Sequence, residues 1–226
     1  WDLLEALPGW PGGTPRPDSD PVEMPLDPKA DERMAARLVR AGVGDRDELI
    51  VVHVSAGNRF RRWPESSFVT LITELAGQDS RRRVAVSSGP SDREAASRIA
   101  ALARTALGDG GARVIDLDEF DLQELRALIG RSRLFIGGDT GPLHIAATTR
   151  TAIVGIFGPT LSAQSAPWRH ASLPAEAIEL TELACRPCDQ RTCLPGDFRC
   201  LIRLAPHAVI EAAERAMAAN ASADRT

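Results

Sequence analysis

The chain has 226 residues, 43% of them hydrophobic and 26% charged, an ordinary globular mixture for one large domain or one and a half of average size. A formal net charge of −4 and a pI near 5.6 argue against a nucleic-acid partner, and no apolar run reaches the roughly 20 residues of a membrane-spanning helix. The chain starts at Trp1 with neither an initiator methionine nor a leader pattern, which points to a fragment or a processed product.

Residues 1–26 are rich in Pro and Gly, show little periodicity and read as a linker or extended lead-in tied down by Trp1 and Trp10. Asp27-Pro28 is an N-cap and N1 pair, and the run behind it reads as a helix closed by Gly42. A regular alternation follows. LIVVHV (49–54) is short, apolar and β-branched, as a buried strand should be. Pro64 opens a helix, RRVAVSS (82–88) is a second strand, and SDREAASRIAALARTAL a second helix of the series. RVIDL (113–117), a helix from Asp121, LFIGG (134–138), a helix from Pro142 to about Thr148, and AIVGIF (152–157) continue it. Pro206 opens an amphipathic helix that runs to 220.

Five strands alternating with helices predict an α/β fold, a Rossmann-like doubly wound parallel sheet with right-handed crossovers. Strands apolar on both faces agree, since helices then cover both. Such sheets bind ligands beyond the C-terminal ends of their strands, so the loops there are the places to search.

After the first strand, Ser55, Ala56 and Gly57 let a backbone approach a ligand, and Arg59, Arg61 and Arg62 bring guanidinium groups suited to phosphate. The bland alternative is a solvated basic loop closed by Trp63-Pro64. After the second strand, Asp92 is placed to accept ribose hydroxyls, or Ser91 or Asp92 simply caps a helix. After the third, Phe120 is either a cover for a flat base or a hydrophobic staple before the Asp121 N-cap. After the fourth comes GGDTGPLHIAA. Here a helix N-terminus, the Thr140 hydroxyl and the backbone of Gly141 form an anion site, with His144 one turn on. Asp139 would repel phosphate and so suits sugar hydroxyls or the orientation of a loop; His144 alone would more simply be a core histidine. Four such ends on one crevice fit a nucleotide diphosphate joined to a hydroxyl-rich group. GxGxxG and GxxxxGK[ST] are both absent, which leaves dinucleotide and P-loop readings without support.

At these residues the chain resembles glycosyltransferase family 9, the lipopolysaccharide heptosyltransferases. The resemblance rests on Arg61-Arg62-Trp63-Pro64, on Gly89 to Asp92, on Asp139-Thr140-Gly141-Pro142-Leu143-His144, on Phe157 to Thr160, and on the Cys-rich tail. It implies the C-terminal, donor-binding domain of a GT-B glycosyltransferase, spanning residues 27–226 with a Cys-rich segment at 185–200. It also implies inverting, metal-independent transfer of heptose from ADP-heptose to a lipopolysaccharide core acceptor, on the cytoplasmic side of the inner membrane. Thr140, Gly141 and His144 would hold the diphosphate, Arg61 would neutralise the departing ADP, Phe120 would pack on adenine, Asp92 would take the ribose and Asp139 the sugar. The general base belongs to an N-terminal domain that this chain lacks, so the chain is expected to bind donor but not to transfer by itself. A transferase using a UDP- or GDP-sugar, or a non-catalytic nucleotide-binding module, are the competing functions.

Cys185, Cys188, Cys193 and Cys200 have the spacing C-x2-C-x4-C-x6-C. Reduced thiols packing a loop, a structural Zn2+ site and, less readily, an iron–sulfur cluster or disulfides all fit that spacing.

Overall fold

The computed structural model describes residues 6–10, 12–117 and 119–223. Asp27 caps α1 (Pro28–Arg40), its carboxylate accepting from the Lys29 amide, and Gly42 closes the helix at φ +83°, a left-handed conformation that glycine adopts without strain. The alternation then runs β1 (Glu48–His53), α2 (Glu65–Gln78), β2 (Arg82–Ser87), α3 (Arg93–Leu107), β3 (Val114–Asp116) and α4 (Leu122–Gly130). It continues through β4 (Leu134–Gly138), α5 (Gly141–Ala147), β5 (Ala152–Phe157), β6 (Ala175–Glu179) and α6 (Pro206–Ala223). Asp121 and Glu124 form a reciprocal capping box at the start of α4.

The sheet has six strands in the order β3-β2-β1-β4-β5-β6, and every pairing is parallel. The expected five strands are therefore six. β6 escaped the sequence reading because AEAIE has no β-branched run: it is a half-exposed edge strand carrying Glu176 and Glu179, and charge on an edge is what keeps it from pairing further. The order reverses between β1 and β4, which opens a crevice at their C-terminal ends.

Alternate residues of each strand face opposite layers. Ile50, Val52, Val84, Val86, Ile136 and Val154 pack with α2, α3 and α6. Leu49, Val51, Ala85, Phe135 and Ile153 pack with α1, α4 and α5 on the other side. This two-sided burial is why the strands read as continuous apolar runs, and it holds the strand-end loops in register.

Three hydrogen bonds tie the lead-in to the domain. Trp1 lies outside the described residues, and the Trp10 amide donates locally to Leu7. Further along, Trp168 Nε1 donates to the Asp20 carbonyl at 2.7 Å, the Ala171 amide to Asp18 at 3.0 Å and Arg126 Nε to the Met24 carbonyl at 3.0 Å. No helix among the described residues is long and apolar enough to cross a membrane.

Candidate functional site

All four predicted strand-end loops meet at one cavity of about 280 Å³. Ser55 and Gly57 line it from the β1 loop, Ser88 to Pro90 from β2, Phe120 to Leu122 from β3, and Thr140 with Pro142 from β4. His53 at the end of β1 also lines it; burial pushes its pKa down to about 4, so the imidazole is neutral, and its Nδ1 lies 3.0 Å from the Ser87 hydroxyl.

Beside this cavity stands a charged cluster. Asp139 is buried, and Arg61 approaches it twice: Nη1 donates to the Asp139 carbonyl at 2.6 Å and sits 3.3 Å from Oδ2. The Thr160 hydroxyl donates to the same Oδ2 at 2.7 Å. His144 Nε2 lies 3.7 Å from Oδ1, an ion-pair distance too long for a hydrogen bond, and its side chain is half exposed. Burial alone would raise the Asp139 pKa; the His144 imidazole, the Thr160 hydroxyl and the Arg61 charge outweigh it and hold the carboxyl below the usual carboxylate value. His144 is thus no buried core histidine.

The loop carrying Arg61 is anchored by its neighbour. Trp63 is buried, its indole N–H donates to the Leu204 carbonyl at 3.0 Å, and its ring packs edge-on against Phe68 at 4.9 Å. Arg62 turns back, donating from Nε to the Ala56 carbonyl and pairing through Nη2 with Asp92 at 3.0 Å.

Asp92 stands one bond behind the cavity wall. Its Oδ2 accepts from the Ser55 hydroxyl at 2.5 Å, and it makes no cap bond to α3 although it occupies the N-cap position. The structure therefore gives its carboxylate protein partners, Ser55 and Arg62, and it fixes the two loops that the cavity needs. Phe120 is half buried at N′ of α4, packed on the core cluster that contains Leu125. The Arg37 guanidinium lies 5.5 Å from its ring centroid, and the ring also lines the cavity, so staple and wall are the same residue.

Gly57 and Gly141 carry a further signal. Neither has a positive φ, and a Cβ built on either meets nothing within 4 Å. The fold itself does not demand glycine at these two positions. Thr140 starts α5 in extended conformation without a side-chain cap bond, which leaves the first turn facing that open space.

The profile of glycosyltransferase family 9 (heptosyltransferase) matches residues 15–198. The chain belongs to that family. It is 31% identical over 169 residues to lipopolysaccharide heptosyltransferase 3 of Escherichia coli, covering 74% of this chain and 47% of that protein. A shorter stretch of 81 residues is 42% identical to lipooligosaccharide heptosyltransferase 2 of Campylobacter jejuni subsp. jejuni serotype O:2, covering 36% of this chain and 24% of that one. Among solved structures, E. coli ADP-heptose lipopolysaccharide heptosyltransferase II superposes with a TM-score of 0.68 at 19% identity over 87% of this chain and 53% of that chain, a likeness of fold. The chain thus spans about half the length of these relatives or less.

Cys185, Cys188, Cys193 and Cys200 are all free, and they line a second cavity of about 260 Å³. Among the described residues no three His, Cys, Asp or Glu side chains are grouped to hold a metal ion. Of the readings that the spacing allows, a disulfide is not formed. Burial, and then the neighbouring Cys185, raise the Cys200 pKa, which favours a neutral thiol packing the loop. Sequence reading offered Arg62 to phosphate, whereas it pairs with Asp92, and it missed Thr160 and Gln190 as partners of the site. Thr160 was within reach as the end of FGPT, but nothing local marks Gln190, which lies 129 residues from the Arg61 it touches.

Proposed function

We propose that this chain carries the donor site of a heptosyltransferase, binding ADP-heptose for inverting, metal-independent transfer to a lipopolysaccharide core acceptor. The observation that carries this reading is the meeting of four strand-end loops at one cavity, with Thr140 and Pro142 of the motif Asp139 to His144 among its lining residues. In this assignment Thr140, the Gly141 amide and His144 hold the diphosphate, and the open space before Gly141 receives it. Phe120 packs on the adenine, while Ser55 and Gly57 border the nucleoside. Asp92 acts by fixing Ser55 and Arg62, and the ribose lies against the Gly89 turn.

The chemistry follows from where charge develops. As the bond from the sugar to the diphosphate breaks, negative charge grows on the departing ADP, and preplaced cationic and N–H donors stabilise it there. Arg61 and His144 supply the positive charge. Asp139, ionised and buried, holds both in place and faces the sugar. Losing one such donor typically costs ~100-fold or more in rate. The base that takes the acceptor proton is assigned to a second domain outside these residues, consistent with the chain spanning about half of its relatives. The work would then be done on the cytoplasmic face of the inner membrane.

Calorimetric titration with ADP, UDP and GDP tests this. The reading expects ADP to bind most tightly and a His144→Ala variant to bind it at least ~10-fold more weakly. A preference for UDP or GDP would overturn the donor while keeping the site. Equal binding to His144→Ala would remove the motif from the site.

A further inference from the structure

The Cys-rich segment is the one motif that the donor site has not absorbed. Among the described residues, the two non-glycine residues in left-handed backbone, Gln190 at φ 60° and Phe198 at φ 50°, both lie in it. Non-glycine residues held at such dihedrals are strained, and the strain persists only where surrounding contacts over-determine it. Both residues touch the same short turn after β1. Gln190 Oε1 accepts from Arg61 Nε at 2.8 Å and from Asn58 Nδ2 at 3.1 Å. The Phe198 ring packs edge-on against Phe60 at 5.3 Å, with Arg59 lying over both rings.

The segment also grips the loop after β5. Arg186, nearly wholly buried, donates from Nη2 to the Thr160 carbonyl at 2.6 Å and pairs with Glu179. The Cys188 amide donates to the Pro159 carbonyl, and the Gln190 amide donates to Cys188 Sγ at 3.4 Å. Thr160 is the residue whose hydroxyl holds Asp139. One segment therefore fixes both members of the Arg61–Asp139 pair, each by its own chain of bonds.

We propose that the Cys-rich segment is a clamp that positions the donor site's charged pair, and that Gln190 is the positioning residue through which it aims Arg61. The proposal rests on the donor-site reading above and deepens it. With Nε on Gln190 and Nη1 on Asp139, the guanidinium plane is fixed at two corners, so Nη2 is directed without rotamer freedom. Without Gln190 only the Asp139 corner remains, and Arg61 swings about it. Gln190 need not touch the donor to matter.

The test is ADP and AMP titration of the full chain as wild type, Gln190→Gly, Gln190→Ala, Arg61→Ala and the double variant Arg61→Ala/Gln190→Gly. Gln190→Gly relieves the left-handed strain while deleting the side chain, so it should melt no lower than wild type. It should nonetheless lose roughly tenfold in ADP affinity, with AMP binding unchanged. In the Arg61→Ala background, removing Gln190 should cost nothing further. Wild-type affinity for ADP in Gln190→Gly, or losses from the two single variants that add in full, would overturn the clamp alone. A wild-type chain that binds no ADP would overturn the donor-site reading and the clamp with it. Should Gln190→Ala melt low, Gln190→Gly decides, because a purely structural role is restored by glycine and an aiming role is not.

Discussion

Replacing Gly141 by alanine separates what the fold needs from what the ligand needs. Gly141 opens α5 without a positive φ, and an added Cβ meets no atom within 4 Å. Gly→Ala at a position whose backbone alanine can adopt stabilises by about 0.4–1 kcal/mol, mainly by restricting the unfolded chain. For a chain of this size each kcal/mol moves the melting temperature by about 2–4 °C, so Gly141→Ala should melt ~1–4 °C higher. The methyl group occupies the space that the diphosphate is assigned, so ADP affinity should fall at least ~10-fold, about 1.4 kcal/mol. Thermal unfolding without ligand, followed by calorimetric titration of the same preparation, reads both. A variant that is more stable and binds ADP as well as wild type would refute the placement of the diphosphate. One that is less stable would refute the claim that the protein itself leaves that space open.

Other consequences are as direct. His53 stays neutral in the fold because burial takes its pKa from 6.5 to about 4, whereas in the unfolded chain it protonates below about 6.5. Stability should therefore drop as pH falls from 6.5 towards 4, by up to about 3 kcal/mol from this residue; chemical denaturation should show a flatter profile for His53→Gln, and an identical profile would refute the assignment. Arg82 is buried and forms a two-pronged pair with the half-exposed Glu214 of α6 at 2.6 and 2.8 Å. Glu214→Ala should cost about 1–2 kcal/mol, between the values for exposed and fully buried pairs, measured by urea unfolding. At Gly158 a Cβ would come within 2.5 Å of Leu201 Cγ, so Gly158→Ala should lose about 1–3 kcal/mol from overpacking between the β5 loop and the turn before α6.

The fold was legible wherever burial writes itself into local composition. β4 and β5 fall on the predicted residues because LFIGG and AIVGIF are apolar on both faces and bounded by turns. β6 was not legible, since an edge strand with two Glu and a single β-branched residue lacks that signature. The crevice could be foreseen from the strand-end rule alone, and Ser55, Gly57, Phe120 and Thr140 do line it. What the sequence concealed were the side chains that hold other side chains. Asp92 reads as a ribose acceptor or a helix cap, and nothing in its local sequence announces the Ser55 and Arg62 groups on its oxygens. Gln190 reaches Arg61 only after the chain has crossed the whole sheet. Local pattern reports burial and caps, whereas long-range pairing of polar groups leaves no period in the sequence.

Crystals of the chain grown with ADP test the central claim most directly. The account predicts the diphosphate against the Gly141 amide, within reach of His144 and Arg61, with the adenine on Phe120. ADP seated instead in the cysteine-lined cavity, or bound with its phosphates away from Thr140 to His144, would contradict it.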